Sequence, residues 1–104
     1  MDWKRIFIAG SCRTPIGVAP KGNLKNVPAE ILLSTCFKET IKRSKLPTER
    51  LGFISEVIAG NVAQSSEAPN IARVAALKAG LPDFVPAFTV QRNCGSGLQA
   101  LVSA

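Results

Sequence analysis

Short apolar runs alternate with helical stripes along the whole chain, and this order limits the possible folds more than any other feature. Strands are predicted at Arg5–Gly10, Ile54–Ala59 and Val85–Gln91, and each is followed by a helix or by the start of one. Such alternation favours a parallel sheet that is covered by helices. We therefore predict an α/β fold, a β-α-β-α-β-α unit with a mainly parallel sheet.

The first helix is bounded by prolines. Pro28 suits the first position of a helix that runs from Ala29 to about Ser44, before the Lys45-Leu46-Pro47 segment ends it. Apolar residues recur at helical spacing, and lysines occupy the other side. The stripe consists of Leu32, Leu33, Cys36, Phe37 and Ile41.

A second helix begins after a capping residue. Asn70 can cap a helix through Ala79, with Gly80 as the C-terminal stop. A third helix is predicted to begin near Cys94, directly after the third strand. The apolar face of the second helix is predicted from Ile71, Val74, Ala75 and Leu77.

The composition excludes several classes of protein. Of the 104 residues, 46% are hydrophobic and 19% are charged, which is typical of a buried core and not of a disordered tail. No apolar stretch approaches the roughly 20 residues of a membrane span, and the N-terminus lacks a signal-peptide pattern, so a cytoplasmic location is expected. Aromatic residues are scarce, and no nucleic-acid-binding motif is present.

The chain is basic, with thirteen Lys and Arg against seven Asp and Glu and a net charge of +6. Several basic side chains surround the first helix, which is typical of a solvated helix face. Attraction of an anionic ligand, such as a nucleotide-bearing thioester, is the alternative. The basic residues of this helix are Lys38, Lys42, Arg43 and Lys45.

The three cysteines, Cys12, Cys36 and Cys94, are an odd number and lie far apart in sequence, and the chain has no histidine. This pattern argues against a disulfide scaffold and against a zinc site or another metal centre. Cys36 lies on an apolar stripe and Cys12 ends a strand, so both are interpreted as small buried hydrophobes.

Cys94 has a different setting. A strand leads into a polar turn, the cysteine follows, and a glycine-flanked Gly95-Ser96-Gly97 stretch then becomes helical. A thiol at the first turn of a helix lies near free N–H groups and the positive end of the helix dipole, which stabilise the reactive thiolate. The small neighbours leave room for a substrate, so Cys94 is predicted to be a covalent nucleophile.

Four sequence blocks follow one another along the chain: Arg13–Gly17 with Gly22-Asn23-Leu24, then Gly60–Gln64, then Asn70–Pro82, then Cys94–Ala100. Together these blocks resemble the N-terminal part of the thiolase family of acyl-CoA C-acyltransferases. The second block is the turn after the second strand, the third is the second helix, and the fourth is the cysteine-bearing segment. Two departures concern the last block: Gln91 stands where many thiolases have Asn, and Asn93 precedes the cysteine.

The resemblance implies the chemistry. Cys94 would attack the thioester carbonyl of an acyl-CoA and become acylated, and its backbone N–H would help to hold the oxyanion. Coenzyme A thioesters would be substrates, such as acetoacetyl-CoA among 3-ketoacyl-CoA compounds in fatty acid metabolism, and no separate cofactor is implied. The resemblance further implies a homodimer or homotetramer. Arg73, in a block that the family shares, is expected to anchor a helix or to contact a subunit. Arg13 could be a substrate ligand, but we interpret it as a loop residue that pins the Thr14-Pro15 turn.

The resemblance covers about the first quarter of the family pattern. We therefore expect residues 1–104 to be the N-terminal part of a thiolase N-terminal domain, with the activating histidine, the second catalytic cysteine, the Asn-containing motif and the main CoA-binding loops beyond residue 104. On that expectation the isolated chain neither catalyses nor forms a stable monomer, because acyl transfer lacks its proton carriers.

Three alternatives stay open. Gly95–Ala100 formally fits the dinucleotide-binding pattern G-x-G-x-x-A, although no acidic residue follows about 20 residues later. The chain could be an inactive truncated or interaction fragment of the same fold. It could also resemble a ketoacyl synthase or a sterol-carrier-type thiolase, but the Arg13-Thr14-Pro15 and Gly60-Asn61-Val62 blocks favour an ordinary thiolase.

Overall fold

The computed structural model describes residues 3–104 as three helices, a short 3₁₀ helix and two strands. No helix within that range is both long enough and apolar enough to cross a membrane. The elements, in chain order, are α1 (Ala29–Ser44), the 3₁₀ helix (Thr48–Phe53), β1 (Val57–Gly60), α2 (Ile71–Lys78), β2 (Ala87–Val90) and α3 (Ser96–Ser103).

The helix ends follow from local backbone chemistry. Pro28 occupies the N-cap position of α1, one residue earlier than predicted, and Lys45 ends the helix in a left-handed conformation with φ of 59°. Asn70 caps α2 as predicted, because its side-chain oxygen accepts the backbone N–H of Arg73 at 3.4 Å. Gly80 then takes φ of 89°, a conformation that glycine adopts without steric cost.

The two strands form a parallel pair in which Val57 lies opposite Ala87. The parallel α/β arrangement is therefore confirmed, although both strands are shorter than the predicted ranges 54–59 and 85–91. Strand β1 does not reach back to Ile54, because Ile54 caps the C-terminus of the 3₁₀ helix and donates its N–H to Leu51 O at 3.2 Å. The sheet thus consists of two four-residue strands within the described part of the chain.

The predicted first strand, Arg5–Gly10, is wrong: the chain has no regular secondary structure there. Ile6, Phe7 and Ile8 are 88%, 80% and 82% exposed. A strand requires a neighbour for its backbone hydrogen bonds, and β1 pairs only with β2 among residues 3–104. Gly10 instead packs on α1, where an added Cβ would lie 2.9 Å from Thr40 O. The described order is therefore α-β-α-β-α.

Helix α2 forms the centre of the core because its inward residues are small. Ala72 and Ala75 are fully buried, and Ala76 is 1% exposed. Alanines let both α1 and the sheet approach the α2 backbone closely, and Val85 fills the adjoining space before β2. Leu77 departs from the predicted apolar face, since it is 46% exposed while Ile71 is buried.

The apolar stripe of α1 is confirmed as the face that turns towards the core, although its residues are only half-buried. Leu33 packs against the cluster that contains Ala59 and Ile71, whereas Phe37 and Ile41 pack against the cluster around Val85. The basic residues of α1 are exposed, as a solvated face predicts.

Candidate active site

Cys94 lies in a tight turn between β2 and α3 and is exposed. Two backbone hydrogen bonds close the turn: Gly95 N–H donates to Arg92 O at 3.0 Å, and Ser96 N–H donates to Asn93 O at 3.2 Å. Asn93 has φ of 47°, a left-handed conformation that asparagine tolerates better than most residues. The predicted nucleophile is therefore presented at the surface by a defined backbone bend.

The side chain of Ser96 braces this bend from inside. It is only 4% exposed. Its hydroxyl donates to Asn93 O at 2.7 Å and accepts the backbone N–H of Arg92 at 2.8 Å. Sequence reasoning treated Ser96 only as a small neighbour of the cysteine. Its spacing of three residues after Asn93 is the signal that was missed, since serine at that spacing can bond back to the backbone.

Two further side chains hold the turn. The Gln91 side-chain oxygen accepts the backbone N–H of Asn93 at 2.8 Å, and Arg92 donates to the Gln99 side-chain oxygen at 2.6 Å. Gln91 is the residue that departs from the usual thiolase pattern. The structure gives it a local role, because it satisfies the N–H of the residue with positive φ.

The backbone N–H of Cys94 has no hydrogen-bond partner within residues 3–104. Cys94 precedes the N-cap residue Gly95, so it lies two residues before α3 and not within its first turn as predicted. Gly95 has no side chain with which to cap the helix. An oxygen atom bound beside the sulfur could therefore accept the Cys94 N–H and lie near the positive end of the α3 dipole.

Gly60, at the end of β1, allows α3 to pack directly against the strand. A Cβ on Gly60 would overlap the backbone C and O of Ser96 and would lie 2.6 Å from Gly97 N. Only glycine permits this approach of strand and helix. The turn that carries Cys94 is thus fixed from two directions, by β2 along the chain and by β1 through space.

The four sequence blocks meet around Gly60. A cavity of about 270 Å³ is lined by Thr14 of the first block, Gly60 and Asn61 of the second and Ile71 of the third. The contact of Gly60 with Ser96 joins the fourth block to this cavity. A second cavity, of about 450 Å³, lies between the loop over residues 15–25 and Leu32, and Cys94 is not among its lining residues.

The two arginines that the sequence singled out have different settings. Arg73 donates from its guanidinium to Val85 O at 2.9 Å and to Asp83 O at 2.7 Å, so it anchors α2 to the segment that enters β2. This confirms an anchoring role for Arg73. Arg13 is exposed, and its side chain makes no hydrogen bond within the described residues.

Asn70 joins the start of α2 to β2. Its side-chain amide donates to Ala87 O at 3.0 Å, and its oxygen accepts the Thr89 hydroxyl at 2.8 Å. The same Thr89 oxygen accepts Ala72 N–H at 3.1 Å. This network fixes the direction of β2, five residues before Cys94.

Cys12 and Cys36 lie together, which sequence reasoning did not predict. The Cys12 sulfur is 3.3 Å from Cys36 O and 3.2 Å from the Thr40 hydroxyl. Burial raises the pKa of the Cys36 thiol, and the neighbouring Cys12 thiol raises it further through a hydrogen bond and its charge, while a backbone hydrogen bond from Thr14 acts against them. Neither cysteine forms a hydrogen bond with Cys94 within the described residues.

Chemically, the region offers an exposed thiol, a free N–H and a braced turn, but no imidazole, since the sequence has no histidine. Within residues 3–104 no group of three or more His, Cys, Asp or Glu side chains could hold a metal ion. The arrangement is therefore suited to nucleophilic attack and oxyanion binding.

Comparison with known proteins adds independent findings. Residues 6–104 match the family model described as thiolase, N-terminal domain. The chain is 49% identical over 98 residues to a probable acetyl-CoA acyltransferase of Staphylococcus aureus (strain MRSA252), which covers 93% of this chain and 24% of the relative.

Two solved structures have the same arrangement of elements. An acetyl-CoA acetyltransferase from Bacillus anthracis is 41% identical, with a TM-score of 0.80. The match covers 92% of this chain and 23% of the B. anthracis chain. Human mitochondrial 3-ketoacyl-CoA thiolase in complex with CoA is 38% identical, with a TM-score of 0.83. This match covers 93% of this chain and 24% of the human chain. The chain thus spans about a quarter of the length of the proteins it matches.

Proposed function

Because this chain belongs to the thiolase family, we propose that it supplies the nucleophilic part of an acyl-CoA C-acyltransferase site, with Cys94 as the residue that is acylated. The observation that carries the proposal is the exposed Cys94 thiol on a turn that is braced by buried Ser96. An enzyme gains most from a nucleophile that is already held in position before the substrate arrives.

The reaction proceeds in two transfers. The Cys94 thiolate attacks the thioester carbonyl of an acyl-CoA, a carbon–sulfur bond forms, and the CoA thiolate leaves. In condensation, the α-carbon of a second acyl-CoA loses a proton and takes the acyl group from Cys94, so that a carbon–carbon bond forms in a 3-ketoacyl-CoA such as acetoacetyl-CoA. In the reverse reaction, thiolysis, Cys94 attacks the 3-keto carbon, the carbon–carbon bond breaks to release acetyl-CoA after protonation of its α-carbon, and free CoA then takes the acyl group from Cys94. Covalent catalysis of this kind divides one difficult step into two easier ones.

The Cys94 N–H donates to the oxygen that becomes negative during attack. It is available for this role because it has no partner within residues 3–104. A hydrogen bond made only to the developing oxyanion accelerates the reaction, because it stabilises the transition state more than the substrate. The CoA complex of the human relative supports CoA thioesters as the substrate class for this chain.

The sequence has no histidine to accept the Cys94 proton, and we infer that the acceptor lies outside these residues. We therefore place residues 1–104 as the N-terminal part of a longer enzyme that works in the cytoplasm as a homodimer or homotetramer and needs no cofactor beyond its CoA thioester substrate. The isolated chain should not turn over substrate. It should also fail to form a stable monomer, because exposed Ile6, Phe7 and Ile8 are side chains that are ordinarily covered.

The test uses the native protein that carries these residues. Thiolysis of 3-ketoacyl-CoA substrates of increasing chain length should be measurable and should fall by about a thousandfold or more in Cys94→Ser, because a hydroxyl is a much weaker nucleophile without a strong base. Cys12→Ser is the matched control and should retain activity. Activity that survives in Cys94→Ser, or absence of thiolysis at every chain length, would refute the proposed function.

A further inference from the structure

Cys12 and Cys36 form a pair of thiols that the proposed reaction does not use. They are 24 residues apart in sequence, yet the Cys12 sulfur contacts the carbonyl oxygen of Cys36 itself, at 3.3 Å. The Thr40 hydroxyl, one turn further along α1, also contacts this sulfur, at 3.2 Å. The Cys12 side chain is therefore seated on α1, over the turn that carries Cys36.

The chain around Cys12 explains why the two residues meet. Cys12 and Thr14 are partly buried, and Arg13 between them is exposed, as in an extended segment whose alternate side chains face one surface. Gly10 reinforces this approach, because an added Cβ would lie 2.9 Å from Thr40 O. Nothing larger than glycine fits at that point without moving the segment away from α1.

Arg43 adds a positive charge at the same place. Its guanidinium donates to Ser11 O at 2.9 Å, adjacent in sequence to Cys12, and also pairs with Glu39 at 2.6 Å. Its side chain remains 54% exposed. A small anionic reagent that approached Cys12 would therefore meet a solvent-accessible cation.

We propose that Cys12 and Cys36 form a reversible intramolecular disulfide when the protein meets a low-molecular-weight disulfide such as oxidised glutathione. The proposal does not rest on the acyltransferase function. The Cys12 sulfur already contacts the carbonyl oxygen of Cys36. To form a disulfide bond, it must move from that oxygen to the sulfur atom of the same residue. Disulfides of this kind in reducing compartments are ordinarily transient and redox-sensing.

The exchange takes place in two steps that balance. The Cys12 thiolate attacks one sulfur of oxidised glutathione, forming a mixed disulfide and releasing one glutathione thiolate. Cys36 then loses its proton to solvent and attacks the Cys12 sulfur, which releases the second glutathione. The protein loses two electrons and two protons, and one oxidised glutathione becomes two reduced glutathiones.

The order of the two steps follows from the surroundings of Cys36. Burial and the adjoining Cys12 thiol raise the pKa of the Cys36 thiol, so Cys36 is kept in its neutral, less reactive form. Cys12 is therefore the attacking residue and Cys36 the resolving residue. The disulfide would close a loop over residues 12–36 that includes Arg13–Gly17, the first of the four blocks.

The experiment is a peptide map of the native protein after exposure to oxidised glutathione and quenching with N-ethylmaleimide. Trypsin cleaves after Arg5, Arg13, Lys25 and Lys38, so Cys12 and Cys36 fall on the separate peptides 6–13 and 26–38. We expect these peptides to be linked, with a yield more than about tenfold above any pair that contains Cys94, because neighbouring thiols react at high effective concentration. The link should disappear on treatment with reduced dithiothreitol.

Variants separate the two roles. Cys36→Ser should retain glutathione on Cys12 and give no link, whereas Cys94→Ser should give the link in unchanged yield. The wild-type map decides the matter even if a variant fails to fold. Glutathione left on Cys12 in the wild type without the linked pair, or links that consist mainly of Cys94, would overturn the proposal.

Discussion

Gly60 of β1 and Ser96 of α3 pack with no space for a side chain between them, since a Cβ on Gly60 would overlap the Ser96 backbone. Ser96 in turn bonds through its hydroxyl to both Arg92 and Asn93. Strand β1 therefore fixes the position of Ser96, and Ser96 in turn stabilises the turn around Cys94. This chain of contacts links two sequence blocks through Gly60 and Ser96, which lie 36 residues apart.

Gly60→Ala should destabilise the native protein and displace α3. Adding a methyl group to a tightly packed contact costs about 1–3 kcal/mol, and here the obstacle is backbone that cannot rotate away. Gly97→Ala is the matched control, because nothing lies within 4 Å of its added Cβ. Thermal unfolding should show a clear loss for the first variant and little change or a small gain for the second. Equal losses would contradict the packing described for Gly60.

Ser96→Ala should lower both turnover and stability. It removes both hydrogen bonds that hold Arg92 N–H and Asn93 O, at about 0.5–1.5 kcal/mol for each bond lost. Misplacement of Cys94 should reduce kcat about 10- to 100-fold. Ser55→Ala, at an exposed serine outside the turn whose side chain makes no hydrogen bond within the described residues, is the control and should leave kcat unchanged. An unaltered kcat in Ser96→Ala would mean that the hydroxyl does not position the cysteine.

Asn70→Ala should loosen the junction between α2 and β2. The change removes the helix cap, worth about 0.5–2 kcal/mol, together with the hydrogen bonds to Ala87 O and the Thr89 hydroxyl. Amide hydrogen exchange should become faster in the first turn of α2 and along β2. Asn26→Ala, in an exposed loop, should leave exchange in both elements as it is, and the same exchange in both variants would contradict the network.

Alkylation of Cys36 by iodoacetamide should begin at higher pH in the folded protein than in urea. Its raised pKa favours the neutral thiol in the folded state, so the resulting stabilisation is complete below the ordinary thiol pKa and is lost as pH rises through the raised value. Cys12→Ser should bring the midpoint only partly back, because burial, the larger cause, remains. Mass mapping at each pH measures this, and equal midpoints in folded and unfolded protein would be the contrary result.

Local signals in the sequence predicted local structure well. Asn70 caps α2 because its side chain bonds three residues ahead, and the prediction required no knowledge of the rest of the chain. The α1 stripe and the parallel α/β arrangement followed from periodicity and element order. The thiolase resemblance, based on the four blocks, is confirmed by the family match over residues 6–104.

Features that depend on distant partners could not be predicted in the same way. Arg5–Gly10 has the composition of a strand, but composition does not provide the neighbouring strand that its backbone requires. Leu77 fits the helical period, yet it lies at the edge of the face that the sheet covers and is 46% exposed. The meeting of Cys12 with Cys36 depends on how the loop between them returns to α1, which no spacing rule records.

The most direct test of the central claim is to find which residue carries the acyl group. The native protein is incubated with isotopically labelled acetyl-CoA, quenched in acid and mapped by mass spectrometry, with Cys94→Ser treated in parallel. The account predicts the labelled acetyl group on the peptide that begins at Asn93 after tryptic cleavage at Arg92, and no label in the variant. Label on Cys12 or Cys36, with Cys94 unmodified, would contradict it.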